Sequence, residues 1–115
     1  MTGLGDIAAL IVAAELQFER CGSELARIDR EAAALRAEAE QVRAHRPDPE
    51  MRLTMRGSAA AAMAGFEIWR DLRLRDLGRR LAELAAAHDA QRRATRRAFG
   101  RLEAIRHLAQ DARGR

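Results

Sequence analysis

Apolar and small side chains in the first third of the chain recur at alternating steps of three and four residues: Leu4, Ile7, Ile11, Ala14, Phe18, Cys21, Leu25, Ile28, Ala32, Leu35, Ala39 and Val42. Written as a heptad, Leu4, Ile11, Phe18, Leu25, Ala32 and Ala39 fall at a, and Ile7, Ala14, Cys21, Ile28, Leu35 and Val42 fall at d. A repeat held this long keeps one narrow stripe facing one partner helix, so it predicts a coiled-coil seam. A second stripe runs through Leu77, Leu81, Leu84, His88, Gln91, Thr95, Ala98, Leu102, Ile105, Ala109 and Ala112, in clean phase but with a polar middle. Upstream of it Met63, Phe66 and Trp69 share a face. The eleven-residue step from Phe66 to Leu77 locally relaxes the supercoil.

Between the stripes, His45-Arg46-Pro47-Asp48-Pro49 is a stop signal, because each proline disfavours helix in the residue before it. Asp48 as N-cap and Pro49 at the first helical position then favour a new start, and Gly57-Ser58 offers a second one. Asp6, after Gly3 and Gly5, is placed to cap the first helix. The expected fold is all-α: a long antiparallel two-helix coiled-coil hairpin with a protruding C-terminal helix end. It is one domain over residues 1–115, with helix one over 6–44, a turn over 45–57 and helix two over 58–113.

A turn centred near residue 50 pairs Val42 with residues 58–60, where four consecutive alanines (59–62) allow close approach. It also sets Ile7 against residues 92–95. Roughly twenty C-terminal residues are then left without a partner, projecting about 30 Å at about 1.5 Å per residue. In this register the polar seam residues His88, Gln91 and Thr95 mark the edge of the paired region, where the seam loses its partner; the alternative is that they fix its register. Trp69, with Phe66 and Leu72, is expected in the core, with a partner hot spot as the alternative.

Composition sharpens this picture. Aromatic residues make up only 3% of the 115 residues, so a thick globular core is excluded. All 21 basic side chains are arginine, whose guanidinium groups fork onto carboxylates and phosphates. Residues 1–50 carry 6 Arg against 10 Asp and Glu, whereas residues 51–115 carry 15 Arg against 7 acids. An acidic helix followed by a basic one favours pairing of the two with each other. The lone Cys21, at a d position, suits a reduced compartment. The apolar run over residues 7–14 follows Asp6 rather than basic residues, and is too short for a membrane span, so neither a signal peptide nor membrane insertion is expected.

The expected overhang is where the positive charge concentrates. Arg92 with Arg96, Arg93 with Arg97, and Arg97 with Arg101 are like charges four apart, each mildly unfavourable on a helix. Elsewhere Arg27 with Glu31, Arg36 with Glu40, and Asp71 with Arg75 set opposite charges at that spacing. The cluster therefore looks tuned to an acidic partner, with Leu102, Ile105 and Leu108 forming an exposed apolar strip. His45, His88 and His107 have no ligand set around them, Cys21 has no partner base, and the glycines form no phosphate loop, so no enzyme, cofactor, metal or small-molecule substrate is expected.

The second helix also resembles a known family. Phe66-Glu67-Ile68-Trp69-Arg70-Asp71-Leu72, then spaced leucines, Arg92-Arg93, Arg96-Arg97-Ala98 and Arg101-Leu102-Glu103 are similar to the C-terminal half of the FliJ/YscO family, the small stalk proteins of flagellar and type III export machines. The resemblance implies a long antiparallel coiled coil without catalysis of its own, partnered by the hexameric export ATPase and the export platform protein. It implies a cytoplasmic location, peripheral at the inner membrane through the export apparatus. ATPase contact then falls to Arg92, Arg93, Arg96, Arg97 and Arg101, with Leu102 and Ile105 adding apolar contact. Two other readings stand beside it: a self-associating scaffold in which a homodimer forms a four-helix bundle, and an arginine-rich nucleic-acid binder. The acidic first helix and the lack of interleaved aromatics oppose the last.

Overall fold

The computed structural model describes residues 3–45 and 56–114, and among them the fold is an all-α helical hairpin of two helices, α1 (Leu4–Ala44) and α2 (Arg56–Arg113). The helix-breaking prolines and the Asp48 cap lie outside the described residues. At the start of α1 the Gly3 carbonyl accepts the amides of Asp6 (3.1 Å) and Ile7 (3.3 Å), while the Gly3 amide donates to Asp6 Oδ2 (3.3 Å). Asp6 therefore acts from inside the first turn, reaching back as the acidic half of a capping box, and does not occupy the N-cap itself. The helix accordingly starts two residues earlier than expected.

The chain divides into two compact units, one of Met1–Arg30 with Ala85–Arg115 and one of Glu31–Leu84. In each, a stretch of α1 lies against a stretch of α2. In the first unit, Ile28, Ala98, Leu102 and Ala109 are buried, and Ile7, Ile11, Ala14, Phe18, Cys21, Leu25 and Ile105 are half-buried. In the second, Ala39, Val42 and Leu77 form the core with Leu35 and Leu74 packed on it; Leu77 is fully buried. The heptad stripe of α1 is therefore the buried face at every position but Leu4, which is exposed at the helix end.

The pairing register differs from the one expected. Asp29 meets His88 (3.2 Å) and Phe18 meets Phe99 (ring centroids 5.5 Å apart), a matched step of eleven residues along both antiparallel helices. Glu15 meets Arg106 further on (3.6 Å). Val42, which the expected register sets opposite residues 58–60, packs in the Leu77 cluster, and the alanines at 60–62 are exposed. Among the described residues the C-terminal end of α2 does not protrude: Leu102 and Ala109 are buried and Ile105 is half-buried in the unit that contains the start of α1. The physical reason is the size of the side chains. Setting Val42 on alanine buries little area and leaves Leu102, Ile105 and Ala109 wet, whereas the observed register sets branched residues against leucines at about 25 cal/mol per Å² of apolar surface removed from water.

The same register explains the polar seam residues. They sit within the paired region, where Gln91 Nε2 donates across the seam to the Cys21 carbonyl (3.1 Å) and Thr95 Oγ1 donates to the Gln91 carbonyl (2.8 Å). Each polar group has a partner and tolerates burial. Trp69 departs from the core placement: it is 50% exposed, and the inward positions are Arg70, Arg73 and Leu74. The eleven-residue step from Phe66 to Leu77 passes through these, and at about 100° per residue Trp69 lies off the buried line.

A candidate arginine face

Arg92, Arg93, Arg96, Arg97 and Arg101 lie on α2 within the unit Met1–Arg30 with Ala85–Arg115, and all five are exposed. The half-turn offsets between them follow from helix geometry. Arg92 and Arg101 flank the buried seam line of Gln91, Ala98 and Leu102, while Arg93, Arg96 and Arg97 point away from it. Arg93, Arg97, Arg101 and Ile105 form a single row at steps of four, about 18 Å long, that descends from the outer face to the edge of the seam.

None of the five pairs with an acid among the described residues, in contrast to other arginines of the chain. Arg27 pairs with Glu24 at 2.7 Å and holds its carboxyl below the usual glutamate range. Asp76 receives Arg79 (2.9 Å), Arg80 (3.2 Å) and Arg73 (3.4 Å), which lower its pKa, led by the hydrogen bond from Arg79. Arg73 also reaches across to Glu38 through Nε at 3.0 Å and through its terminal nitrogen. Arg106 spans Glu15 and Glu103. Some expected pairings are replaced: Glu40 takes Arg43 at 2.7 Å, three residues on, instead of Arg36. Asp89 stands three residues before Arg92 and four before Arg93, yet among the described residues it pairs with neither, and the five guanidinium groups are all left without an acid partner.

One of the expected contact residues belongs to the hairpin seam instead. Leu102 is 4% exposed, Ile105 is half-buried at the seam's edge, and Leu108 alone of that strip is exposed. What the sequence reading missed is a groove of about 180 Å³ beside the arginine row, lined by Leu10, Ala13, Ala14 and Gln17 of α1 and Ala98, Arg101 and Ile105 of α2. A signal for it was present: residues 7–14 are apolar on every face of the helix, more than a two-helix seam covers. Among the described residues no three His, Cys, Asp or Glu side chains converge as a metal site, and Cys21 is a half-buried free thiol. No described helix is long and apolar enough to cross a membrane. No protein-family model, curated protein or solved structure matches the chain.

Proposed function

We propose that this chain is a non-catalytic coiled-coil stalk or adaptor whose arginine face, Arg92, Arg93, Arg96, Arg97 and Arg101, docks on an acidic protein surface. One observation carries the reading: five exposed guanidinium groups stand within ten residues of one helix, three pairs of them four apart, and none is paired with a carboxylate among the described residues, even though Asp89 lies at helical spacing from Arg92 and Arg93. Such spacing costs about 0.2–0.5 kcal/mol per pair in an isolated helix, a cost that an acidic partner reverses. Arginine also forks onto carboxylates in two parallel hydrogen bonds, which gives a docking surface orientation as well as affinity.

The resemblance of residues 66–103 to the FliJ/YscO stalk proteins supplies the partner: the hexameric ATPase of a flagellar or type III export apparatus, with the export platform protein as a second. The cytoplasmic location belongs to the same proposal. Leu102 drops out of the contact set, because it is buried in the seam that holds the hairpin together.

The test is co-elution of the purified chain with the cognate export ATPase on size exclusion with light scattering, scored beside the ATPase rate. Complex formation with a raised rate, lost on combined Arg93→Glu, Arg97→Glu and Arg101→Glu substitution, is the expected result. A complex that survives the charge reversal refutes the arginine assignment. A chain that elutes alone as a stable dimer and leaves the rate unchanged replaces this reading with a self-associating scaffold.

A further inference from the structure

We infer that the groove between α1 and α2 at Leu10, Ala13, Ala14, Gln17, Ala98, Arg101 and Ile105, together with the arginine row that runs into it, is a docking site for one amphipathic helix of a partner. That helix carries carboxylates four residues apart at one end and apolar anchors at the other. The inference rests on the acidic-partner reading above and deepens it by naming the form of the ligand.

The groove is built from two matched helix faces within one unit. Leu10, Ala13, Ala14 and Gln17 follow the steps of three and four that put side chains on one face of α1, and Ala98, Arg101 and Ile105 do the same on α2. Small side chains at Ala13, Ala14 and Ala98 make the floor. Leu10 is the larger side chain at its edge, 53% exposed, and outside the lining Leu108, one turn beyond Ile105 on α2, is 61% exposed and extends the apolar surface. At about 180 Å³ the groove is well below the roughly 300 Å³ at which small-molecule sites begin, so it suits a few inserted side chains rather than a cofactor.

Charge selects the occupant. Arg101 belongs to the groove and to the row Arg93, Arg97, Arg101, Ile105, so cationic row and apolar groove form one continuous track. Neither the row nor the groove lining contains a carboxylate. A helix laid along the track meets three guanidinium groups at helical spacing and then an apolar trough, which is the helix-in-groove mode of recognition with charge added at one end. A second copy is disfavoured, since a two-fold contact through this patch sets an all-positive surface against itself. A bilayer surface is disfavoured by the concavity, which accepts a ridge of side chains and not a plane.

The probe is a synthetic alanine-based helical peptide with three glutamates four apart followed by two leucines on the same face, labelled for fluorescence anisotropy against the full chain. Binding that weakens about tenfold or more in Leu10→Asp, in Leu108→Asp and in Arg97→Glu, but not in Leu72→Asp of the other unit, is the expected result; circular dichroism checks that each variant keeps its helices. Binding unchanged in both leucine variants overturns the inference, as does equal binding of a peptide whose leucines are replaced by serine. A dimer in light scattering that Leu10→Asp and Leu108→Asp convert to a monomer overturns it in favour of a second copy. Stronger retention on anionic phosphatidylserine vesicles than on the peptide overturns it in favour of a membrane. The same variants separate this inference from its premise. An ATPase complex lost in Arg97→Glu but kept in both leucine variants sinks the groove alone. Peptide binding with the expected variant pattern, in a chain that forms no ATPase complex, supports the groove and refutes the ATPase.

Discussion

Replacing Leu102 with alanine separates the observed register from the one a short turn would impose. In the structure Leu102 is 4% exposed, in the unit where Phe18 stacks against Phe99 and Glu15 meets Arg106. Removing a buried leucine side chain to the β-carbon costs about 2–5 kcal/mol, the transfer term plus the cavity left behind. A two-helix seam is open along both edges and collapses more readily than a closed core, so the lower part of the range applies, about 2–3 kcal/mol. On an unpaired overhang the same substitution exchanges one strong helix former for another on an exposed surface and changes stability by less than about 0.5 kcal/mol. Far-UV circular dichroism through a urea titration reads the difference directly. In thermal unfolding, an entropy of about 2.1 cal/mol/K per residue gives roughly 0.24 kcal/mol/K for 115 residues, so a loss near 2.5 kcal/mol lowers Tm by about 10 °C. A Tm within about 2 °C of the parent chain refutes the register and everything built on it, the groove included.

Three further outcomes follow from particular contacts. A double-mutant cycle on Phe18 and Phe99, each replaced by leucine, should show a coupling of about 0.5–1.5 kcal/mol beyond the lost area, and additive effects would show that the rings do not meet. Arg97→Glu turns two repulsive four-residue spacings, to Arg93 and to Arg101, into attractive ones, so at low salt it should stabilise the chain by about 0.8–2 kcal/mol while weakening the proposed partner contact; a destabilised variant would show a native role for that guanidinium. Asp76 and Glu24 have pKa values below those they take when unfolded, so their contribution is present above the ordinary carboxylate range and is lost as pH falls through the lowered values. Urea midpoints measured from pH 6 downward should therefore fall below about pH 4, with a shallower fall in Asp76→Asn, and an identical profile in that variant would remove Asp76 from the acid response.

The sequence by itself determined that there are two long helices and which stripe of each turns inward over residues 7–42 and 77–109. Heptad spacing is a local property: a side chain at every third or fourth position lies on one line of the helix whatever it packs against, so Ile28, Ala32, Ala39, Val42, Leu77, Ala98, Leu102 and Ala109 are all buried on stripes visible in the chain. Asp6 was legible as a terminus signal for the same reason, though its position within the cap was not. The clustering of arginines at 92, 93, 96, 97 and 101 was legible too, since their mutual spacing is fixed along the helix, whereas only the structure shows Arg92 and Arg93 unpaired beside Asp89. What the tertiary structure decided is which part of one stripe faces which part of the other. A repeating seam matches itself at every heptad, and the choice among those alignments is made by summed burial over many distant pairs, by Gln91 finding the Cys21 carbonyl and by Phe18 finding Phe99. That choice turned Leu102 from contact strip into core, left Ile105 half-buried at the seam's edge, moved Trp69 to the surface at an eleven-residue step, and joined residues 10–17 to residues 98–105 in a groove that neither helix contains alone.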